Sequence, residues 1–378
     1  MRQRTRLWAA AGLWTGLLLI VFNLYSAVVE FIPQYRFRND FRLIYGAALA
    51  AWTNGYGHLY DLTAQEAATD GLGSGFYWQP FINPPPLAWL ATPFLALPFE
   101  TALVLWTVLL AVGAGLAWWL VAPGAGLTRW AHLALYVGVF PTAFGLMVGQ
   151  PVALVAAAVA GSWWLAEHKR PLLAGVVLSL VAIKPQLALL VPLCLLVAGR
   201  WRIFFAWLAA SAVIGVVALA MLGADGLQRY RDVLSLASGW APTRGFAVAG
   251  PLGVGPQLYA VEVLVVAVAA IAAWQQRDGD TGRLYATGIV ASLLFTPYVG
   301  FQDFAMLMVA SWLLIRSGVT AFQVGLMVVG YVLLELALVV LAVPILIAEG
   351  LILLSLAWPT AGSARQAEAA RAVSGVAR

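Results

Sequence analysis

The chain has 378 residues, of which 63% are hydrophobic and only 10% are charged, and its mean hydropathy is +0.90. A soluble domain of this length cannot bury so much apolar surface, so the composition predicts a polytopic membrane protein. The net charge of +5 does not indicate nucleic-acid binding, because the basic residues lie in short loops between apolar segments. The single cysteine, Cys194, excludes an intramolecular disulfide.

The first apolar segment, residues 7–29, follows a start that contains Arg2, Arg4 and Arg6. A cleaved signal peptide is the alternative to a membrane span here. The apolar stretch is too long for a signal peptide, and no small-residue cleavage site follows it, so we predict a retained helix. The three arginines then predict a cytoplasmic N-terminus.

Residues 30–84 are predicted to form a first loop on the outer face of the membrane. Within this loop, residues 40–53 carry apolar side chains at helical spacing, which predicts an amphipathic helix lying at the interface. Asn54, Gly55 and Gly57 are expected to end that helix, because glycine adopts backbone angles that other residues avoid.

The rest of the chain alternates apolar segments with short polar breaks. Several segments are shorter than the roughly 20 residues that a full span needs, which indicates broken or half-crossing helices that line a cavity. The predicted segments are residues 87–97, 102–121, 130–148, 152–166, 172–183, 187–198, 203–222, 257–274, 284–295, 304–315, 319–341 and 344–358.

The basic loops determine the predicted orientation. They can all be cytoplasmic if residues 87–97 and the following segment count as one net crossing; two full crossings would place most of them outside. The first arrangement predicts an all-α, single-domain bundle over residues 1–378, with roughly twelve spans and both termini in the cytoplasm of a bacterial-type inner membrane. The loops are Arg129, residues 168–170, 200–202 and 277–283, Arg316, and a tail at residues 360–378.

With this orientation, the polar breaks in the sequence gather on the outer face, which we interpret as the active face. They are residues 30–83, 149–151, 183–185, a second outer loop at residues 223–256, and residues 296–303.

Asp40 is the first candidate for chemistry, since it stands just outside the first helix between Arg38 and Arg42. A carboxylate beside cationic groups stays ionised and can act as a general base. The plainer interpretation is that Asp40 caps the helix that follows, because Asp at a helix N-terminus accepts backbone N–H bonds. Both roles can hold at once.

Lys184 is the second candidate, because a lysine in an apolar run is costly unless it faces a polar cavity or an interface. Pro185 next to it predicts a helix break, where Lys184 could bind a phosphate as a point charge. A snorkelling side chain, or a cytoplasmic loop under the other topology, is the alternative. Arg244 in the second outer loop is a further phosphate candidate, although such arginines are often only solvated.

Three more polar residues lie between or within apolar segments. Gln150 could bond a sugar hydroxyl or simply belong to a tight turn, and Asp303, next to Gln302, could be a second carboxylate or the N-cap of the following helix. Glu335 lies deep in an apolar run, where we expect it to be protonated or bonded to a neighbouring helix. No spacing of His, Asp, Glu or Cys predicts a metal site, and no glycine-rich loop predicts a nucleotide cofactor.

A set of weak motifs in fixed order resembles the family 87 glycosyltransferases, membrane enzymes of GT-C type. The motifs are N-D-F-R-x-x-Y-x-A-A at residues 39–48, G-H-L-Y-D at 57–61, N-P-P at 83–85, P-F-L-A-L-P at 93–98, G-Q at 149–150, A-G-x-x-L-S-L-x-x-x-K-P at 174–185 and L-L-F-T-P-Y at 293–298.

The resemblance implies a polyprenyl-phosphate-sugar donor, such as polyprenyl-phosphate-mannose, and inverting transfer to a lipid or glycan acceptor. It implies that Asp40 is the general base, that Tyr45, Tyr60 and Asp61 belong to the substrate loop, and that Lys184 lies near the donor phosphate. After Tyr298 the chain departs from the histidine-rich stretch of better-known members, which leaves the sugar and the acceptor open.

Two other functions compete with the enzyme. A transporter or flippase of lipid-linked sugars would place charges near the bilayer midplane in repeated halves. The chain shows no clear internal repeat, and its charges lie in the predicted outer loops, which favours the enzyme. A scaffold without activity is the third hypothesis.

Overall fold

The structure is a computed structural model, and it describes residues 2–31, 39–72, 78–240, 244–336 and 342–358. Arg38 and the predicted tail at residues 360–378 lie outside these ranges, as do parts of both predicted outer loops. Every regular element in the described part of the chain is helical, which confirms the predicted all-α class.

Seventeen α-helices occur in the described residues. They are α1 (Arg2–Ser26), α2 (Asp40–Asn54), α3 (Leu62–Asp70), α4 (Pro85–Ala91), α5 (Phe99–Val121), α6 (Leu127–Gly138), α7 (Phe140–Val148), α8 (Val152–Glu167), α9 (Pro171–Leu178), α10 (Val191–Val197), α11 (Trp201–Ser238), α12 (Ala249–Leu252), α13 (Pro256–Gln275), α14 (Thr281–Phe295), α15 (Ala305–Ser317), α16 (Ala321–Leu336) and α17 (Val343–Leu356).

Four segments in the described part of the chain are long and apolar enough to span a membrane: Arg6–Val29, α5, α11 and α13. The bent pair of α6 and α7 brings the number to five, and shorter apolar helices such as α8, α16 and α17 accompany them. The protein is therefore a membrane protein with several candidate spans, whereas the number twelve stays a prediction.

The α6–α7 pair corrects the prediction of one continuous segment over residues 130–148. The two helices meet at Val139, which has an extended backbone, and their axes are bent by 58°. The backbone N–H of Phe140, freed by the break, donates to the Glu335 carboxylate at 3.0 Å. Glu335 is thus bonded to a neighbouring helix, which was one of its two predicted states.

Part of the predicted second outer loop, residues 223–256, is helical and belongs to α11. This helix continues to Ser238, with Gly223 as one non-helical residue at φ 63°. Gly223 therefore marks a kink that joins two helical parts of α11, one before it and one after it.

Close packing between helices depends on small residues. A Cβ added to Gly16 of α1 would lie 2.4 Å from the backbone of Ala134, and one on Gly138 would lie 2.7 Å from the carbonyl oxygen of Gly16. Helix α1 and helix α6 therefore touch through their backbones, as is common between membrane helices.

Two arginines of the predicted basic loops lie near the end of α5 that carries Val121. Arg316 donates to the carbonyl of Val121 at 2.6 Å, and Arg283 donates to the carbonyl of Gly318 at 2.8 Å. Helix α5 runs from this end to Phe99, which stacks on Phe41 of α2. Helix α2 therefore lies at the opposite end from the arginines.

Helix α2 differs from the interfacial helix predicted for residues 40–53. Phe41, Ile44, Tyr45 and Ala48 are buried in the protein core, and Trp52 from the same predicted face is 66% exposed. The apolar side of α2 thus packs mainly on neighbouring helices, and this holds its first turn in a fixed place.

Candidate active site

Asp40 does not cap helix α2. Asn39 takes that position: it is extended, and its side-chain oxygen accepts the backbone N–H of Arg42 at 2.9 Å. Asn is as good an N-cap as Asp, which is the signal that could have identified it in the sequence. The Asp40 carboxylate is consequently available for other partners.

Gln150 is the partner of Asp40. Its side-chain N–H₂ donates to Oδ2 of Asp40 at 2.5 Å. The preceding Gly149 ends α7 with φ 79°, and a Cβ there would lie 2.8 Å from Cβ of Phe41, so only glycine brings α7 this close to α2. Trp106 fixes the turn further by donating to the Gly149 carbonyl at 2.8 Å.

Lys184 occupies the predicted helix break, between the 3₁₀ turns Ser179–Ile183 and Pro185–Leu187. Its side chain is nonetheless almost fully buried, with the residue 4% exposed. The ammonium donates to Oε1 of Gln150 at 2.9 Å and to Oδ1 of Asp303 at 2.5 Å. Two of its three N–H donors are therefore occupied by protein groups.

Asp303 lies in the 3₁₀ turn Phe301–Phe304, two residues before the start of α15, and so is not the N-cap of that helix. Its Oδ2 accepts the backbone N–H of Gly300 at 3.0 Å, while Oδ1 accepts Lys184. The residue is 1% exposed. A buried carboxylate with both oxygens bonded is held in one orientation.

Asp40, Gln150, Lys184 and Asp303 form a continuous hydrogen-bonded row, which we name the polar row. Desolvation raises the pKa of the Asp40 carboxyl, while the Gln150 bond and the Lys184 charge oppose that shift and the Asp303 charge adds to it. The net result is a pKa above the ordinary value for Asp. A carboxylate with a raised pKa is a stronger base than an exposed one.

Arg244 is brought to the side of the Asp303 turn. Phe246, two residues further along the chain, packs on Phe301 with ring centroids 5.5 Å apart. Burial raises the pKa of the Tyr298 hydroxyl, and the nearby charge of Arg244 partly opposes that shift. Within the described ranges, the Arg244 side chain has neither an ion pair nor a hydrogen bond. Arg244 is therefore a cation near the polar row, and no carboxylate of the described residues pairs with it.

The loop residues predicted to bind substrate make hydrogen bonds within the protein. Tyr45 donates to the Leu97 carbonyl at 3.1 Å, and Tyr60 donates to the Asn83 carbonyl at 2.7 Å. Asp61 caps α3 through the N–H of Ala64.

Arg229 of α11 contacts other residues of the protein. It lies 3.7 Å from the Asp61 carboxylate and donates to the Gly57 carbonyl at 2.8 Å. These contacts connect residues 55–61 to the part of α11 that follows Gly223.

Arg42 and Gln302 are both buried. The Arg42 guanidinium lies over the ring of Phe99, 5.5 Å from its centroid. Gln302 lines a cavity of about 10 Å³ together with Gln150 and Tyr136, directly behind the polar row. Of the two, only Gln302 is placed beside Gln150.

A larger cavity of about 260 Å³ lies next to Lys184 in the chain. Pro84 and Pro85 from the Asn-Pro-Pro motif form one wall, and Val181 and Pro185 from the Lys184 break form another. Residues of α11 such as Ile214 and Ala218 form a third. Neighbouring positions on α11, including Val213 and Val216, are exposed apolar residues, so the cavity lies against a helix with a lipid-facing surface.

No group of three or more His, Cys, Asp or Glu side chains able to hold a metal occurs in the parts of the chain described above. The chemistry available in the polar row is that of a carboxylate base, an amide and a lysine–carboxylate pair.

The comparisons with known proteins give one match. The family model described as "Glycosyltransferase family 87" matches residues 81–297, more than half of the chain. Gln150, Lys184 and Arg244 lie inside the matched range, and Asp40 and Asp303 lie on either side of it. No curated protein and no solved structure matches the chain.

Proposed function

This chain belongs to glycosyltransferase family 87, and from that premise we propose that it is a membrane hexosyltransferase using a polyprenyl-phosphate-sugar donor. Mannose is the sugar we propose first, and a lipid or glycan is the acceptor. Transfer takes place at the outer face of a bacterial-type inner membrane, in a GT-C-type bundle of roughly twelve spans whose termini are cytoplasmic.

The observation that supports this function most directly is the Asp40 carboxylate bonded by Gln150. Oδ2 is occupied by the amide, so Oδ1 is the oxygen that accepts the proton of the acceptor hydroxyl. As that proton moves to Asp40, the hydroxyl oxygen forms a bond to the anomeric carbon and the bond from that carbon to the phosphate oxygen breaks. The polyprenyl phosphate leaves with the electron pair, and attack opposite the leaving group inverts the anomeric centre.

Phosphate is a good leaving group, so a positioned base and a cation near the phosphate suffice without a strong acid. Arg244 is the cation we assign to the donor phosphate, because its guanidinium has no carboxylate partner among the described residues and can bind phosphate through two N–H groups.

The apolar cavity supports a lipid-linked donor. Its walls are almost entirely apolar, and it lies between the Asn-Pro-Pro motif and the Lys184 break, where Pro185, the residue after Lys184 in the chain, lines it. A polyprenyl chain that enters here from the lipid would bring its phosphate toward the row. Arg42, Tyr45, Tyr60 and Asp61 would then act indirectly, by holding the segments that surround Asp40, while Gln302 supports Gln150 from behind.

The test is transfer of labelled sugar from polyprenyl-phosphate-mannose and related donors to a lipid extract by purified protein. Wild type is compared with Asp40→Asn and with the control Asp232→Asn, an exposed α11 residue bonded to Gln228. We expect the first variant to lose transfer by at least about 100-fold while it keeps the wild-type melting temperature. The control should keep full activity.

Equal transfer by wild type and Asp40→Asn would remove Asp40 from the mechanism. Absence of transfer with every donor, together with movement of lipid-linked sugar across vesicles that contain the protein, would establish the flippase instead.

A further inference from the structure

Lys184 is the residue whose position differs most from the expectation of a phosphate ligand. Its charge is already balanced by Asp303, and the exposed fractions of the two side chains are only 5% and 2%. A cation that waits for a substrate phosphate is usually accessible and unpaired, as Arg244 is. Lys184 therefore needs a different explanation.

The orientation of the Gln150 amide explains why Lys184 lies where it does. An amide has a donor end and an acceptor end, and a lysine ammonium can only donate while a carboxylate can only accept. With Lys184 on one side, the amide oxygen must face the lysine, and the N–H₂ end then faces Asp40. Reversal of the amide would set donor against donor and acceptor against acceptor. Lys184 thus determines which end of Gln150 meets the base.

Asp303 holds Lys184 in the position where it can do this. A buried ammonium without a partner is strongly unfavourable, so Lys184 stays bonded to the Asp303 carboxylate. The Gly300 N–H in turn fixes the position of that carboxylate. The row is anchored at its Asp303 end by backbone and is open at its Asp40 end, where Oδ1 has no partner among the described residues.

We infer that Lys184 is a positioning residue, which orients Asp40 through the Gln150 amide, and that it is not a ligand of the donor phosphate. The inference rests on the proposed function, since it assigns a role within the same transfer reaction. In this arrangement, the Gln150 amide binds Oδ2 of Asp40, so that Oδ1 points to the acceptor hydroxyl.

The test is a steady-state comparison of Lys184→Met, Gln150→Met and Arg244→Ala over a range of pH, with donor binding measured separately by titration without acceptor. We expect Lys184→Met and Gln150→Met to lower kcat by about 100-fold, the effect of a displaced reactive group, with donor affinity within about 2-fold of wild type. Because the two act through one amide, the double variant should be no worse than either single variant. Arg244→Ala should instead weaken donor binding.

The pH profile gives a second readout. Asp40 must be ionised to act, so activity is lost as pH falls through its pKa, and both the Gln150 bond and the Lys184 charge lower that pKa. Removing either should move the acid limb of the kcat profile to higher pH. A residue that only supports the fold would not move this limb, and the separate titration of donor binding distinguishes a phosphate ligand from a positioning residue.

Lys184→Met leaves Asp303 buried and unpaired, so that variant can fail to fold. The double variant Lys184→Met/Asp303→Asn removes both charges and restores the balance. It should be folded, bind donor as wild type does and keep the low kcat. Loss of donor affinity in this double variant, with kcat and its acid limb unchanged, would overturn the inference and leave the transferase assignment intact. Absence of transfer by wild type would overturn the proposed function itself.

Discussion

Asn39 caps helix α2 with its side chain, and this leaves the next residue, Asp40, free to accept the Gln150 amide. Asn39 thus has the structural task, and the adjacent Asp40 is available for the chemical task that we propose for it. From the sequence alone both tasks remain open for Asp40, since Asn and Asp cap helices equally well.

The division predicts a specific effect of Asn39→Ala. Loss of the cap should lower the free energy of unfolding by about 1 kcal/mol and should also lower activity, because the first turn of α2 carries the base. Asn39→Ser keeps a capping oxygen and should retain most of both. Denaturation in detergent and the transfer assay measure the two effects; an Asn39→Ala protein as stable and active as the Ser variant would contradict the assignment.

Arg244→Ala is predicted to raise KM for the donor by about 10-fold or more, because a hydrogen bond to a charged group contributes roughly 1.5–3 kcal/mol. Arg244→Lys should recover part of the loss, since lysine binds phosphate as a point charge without the planar fork. Arg231→Ala, an exposed arginine of α11, is the matched control. If both alanine variants change KM alike, the effect comes from general surface charge.

Gly215→Phe tests the apolar cavity as the site of the polyprenyl chain. Gly215 lines the cavity, and a Cβ added to it meets nothing within 4 Å, so the phenyl ring can enter without displacing backbone. We expect a higher KM for a long-chain donor and little change for a donor with a short chain.

The control for that experiment is Gly115→Phe on α5, where an added Cβ also meets nothing within 4 Å, at a position that is not part of the cavity wall. Equal losses for long and short donors in Gly215→Phe would place the lipid elsewhere.

Glu335→Leu is predicted to destabilise the protein by about 1–3 kcal/mol, since it leaves the Phe140 N–H at the α6–α7 bend without its acceptor. Glu335→Gln keeps an acceptor oxygen and should remain close to wild type. The comparison of melting curves separates the hydrogen bond from the charge: equal destabilisation by Gln and Leu would mean that the carboxylate charge matters.

Hydropathy was enough to predict the membrane class and the positions of the long helices, because α1, α5 and α13 are apolar over a full span. It did not predict the bend at Val139, although Pro141 is a signal for it, because proline has no backbone N–H and fits the first turn of a helix better than its interior. It also did not predict that α11 continues beyond Gly223 to Ser238. Asp225, Arg229 and Arg231 make that stretch look like a loop, and hydropathy does not distinguish a polar helix from a loop.

The members of the polar row were selected one by one from the sequence, because each is a polar residue in an apolar setting. Their pairing was not predictable. Asp40 and Gln150 are 110 residues apart, and Lys184 and Asp303 are 119 apart, so no local pattern connects them. Lys184 was accordingly predicted as a phosphate ligand, because its neutralising carboxylate is visible only in three dimensions.

The separation of these residues along the chain has a consequence for biosynthesis. Asp40 is synthesised before all but the first helix, whereas Asp303, at the far end of the row, is synthesised after most of the helices. In the proposed mechanism, a nascent chain would carry Asp40 before Asp303 is present to hold Lys184. We therefore expect a chain truncated before residue 303 to be inactive even when its earlier helices insert correctly.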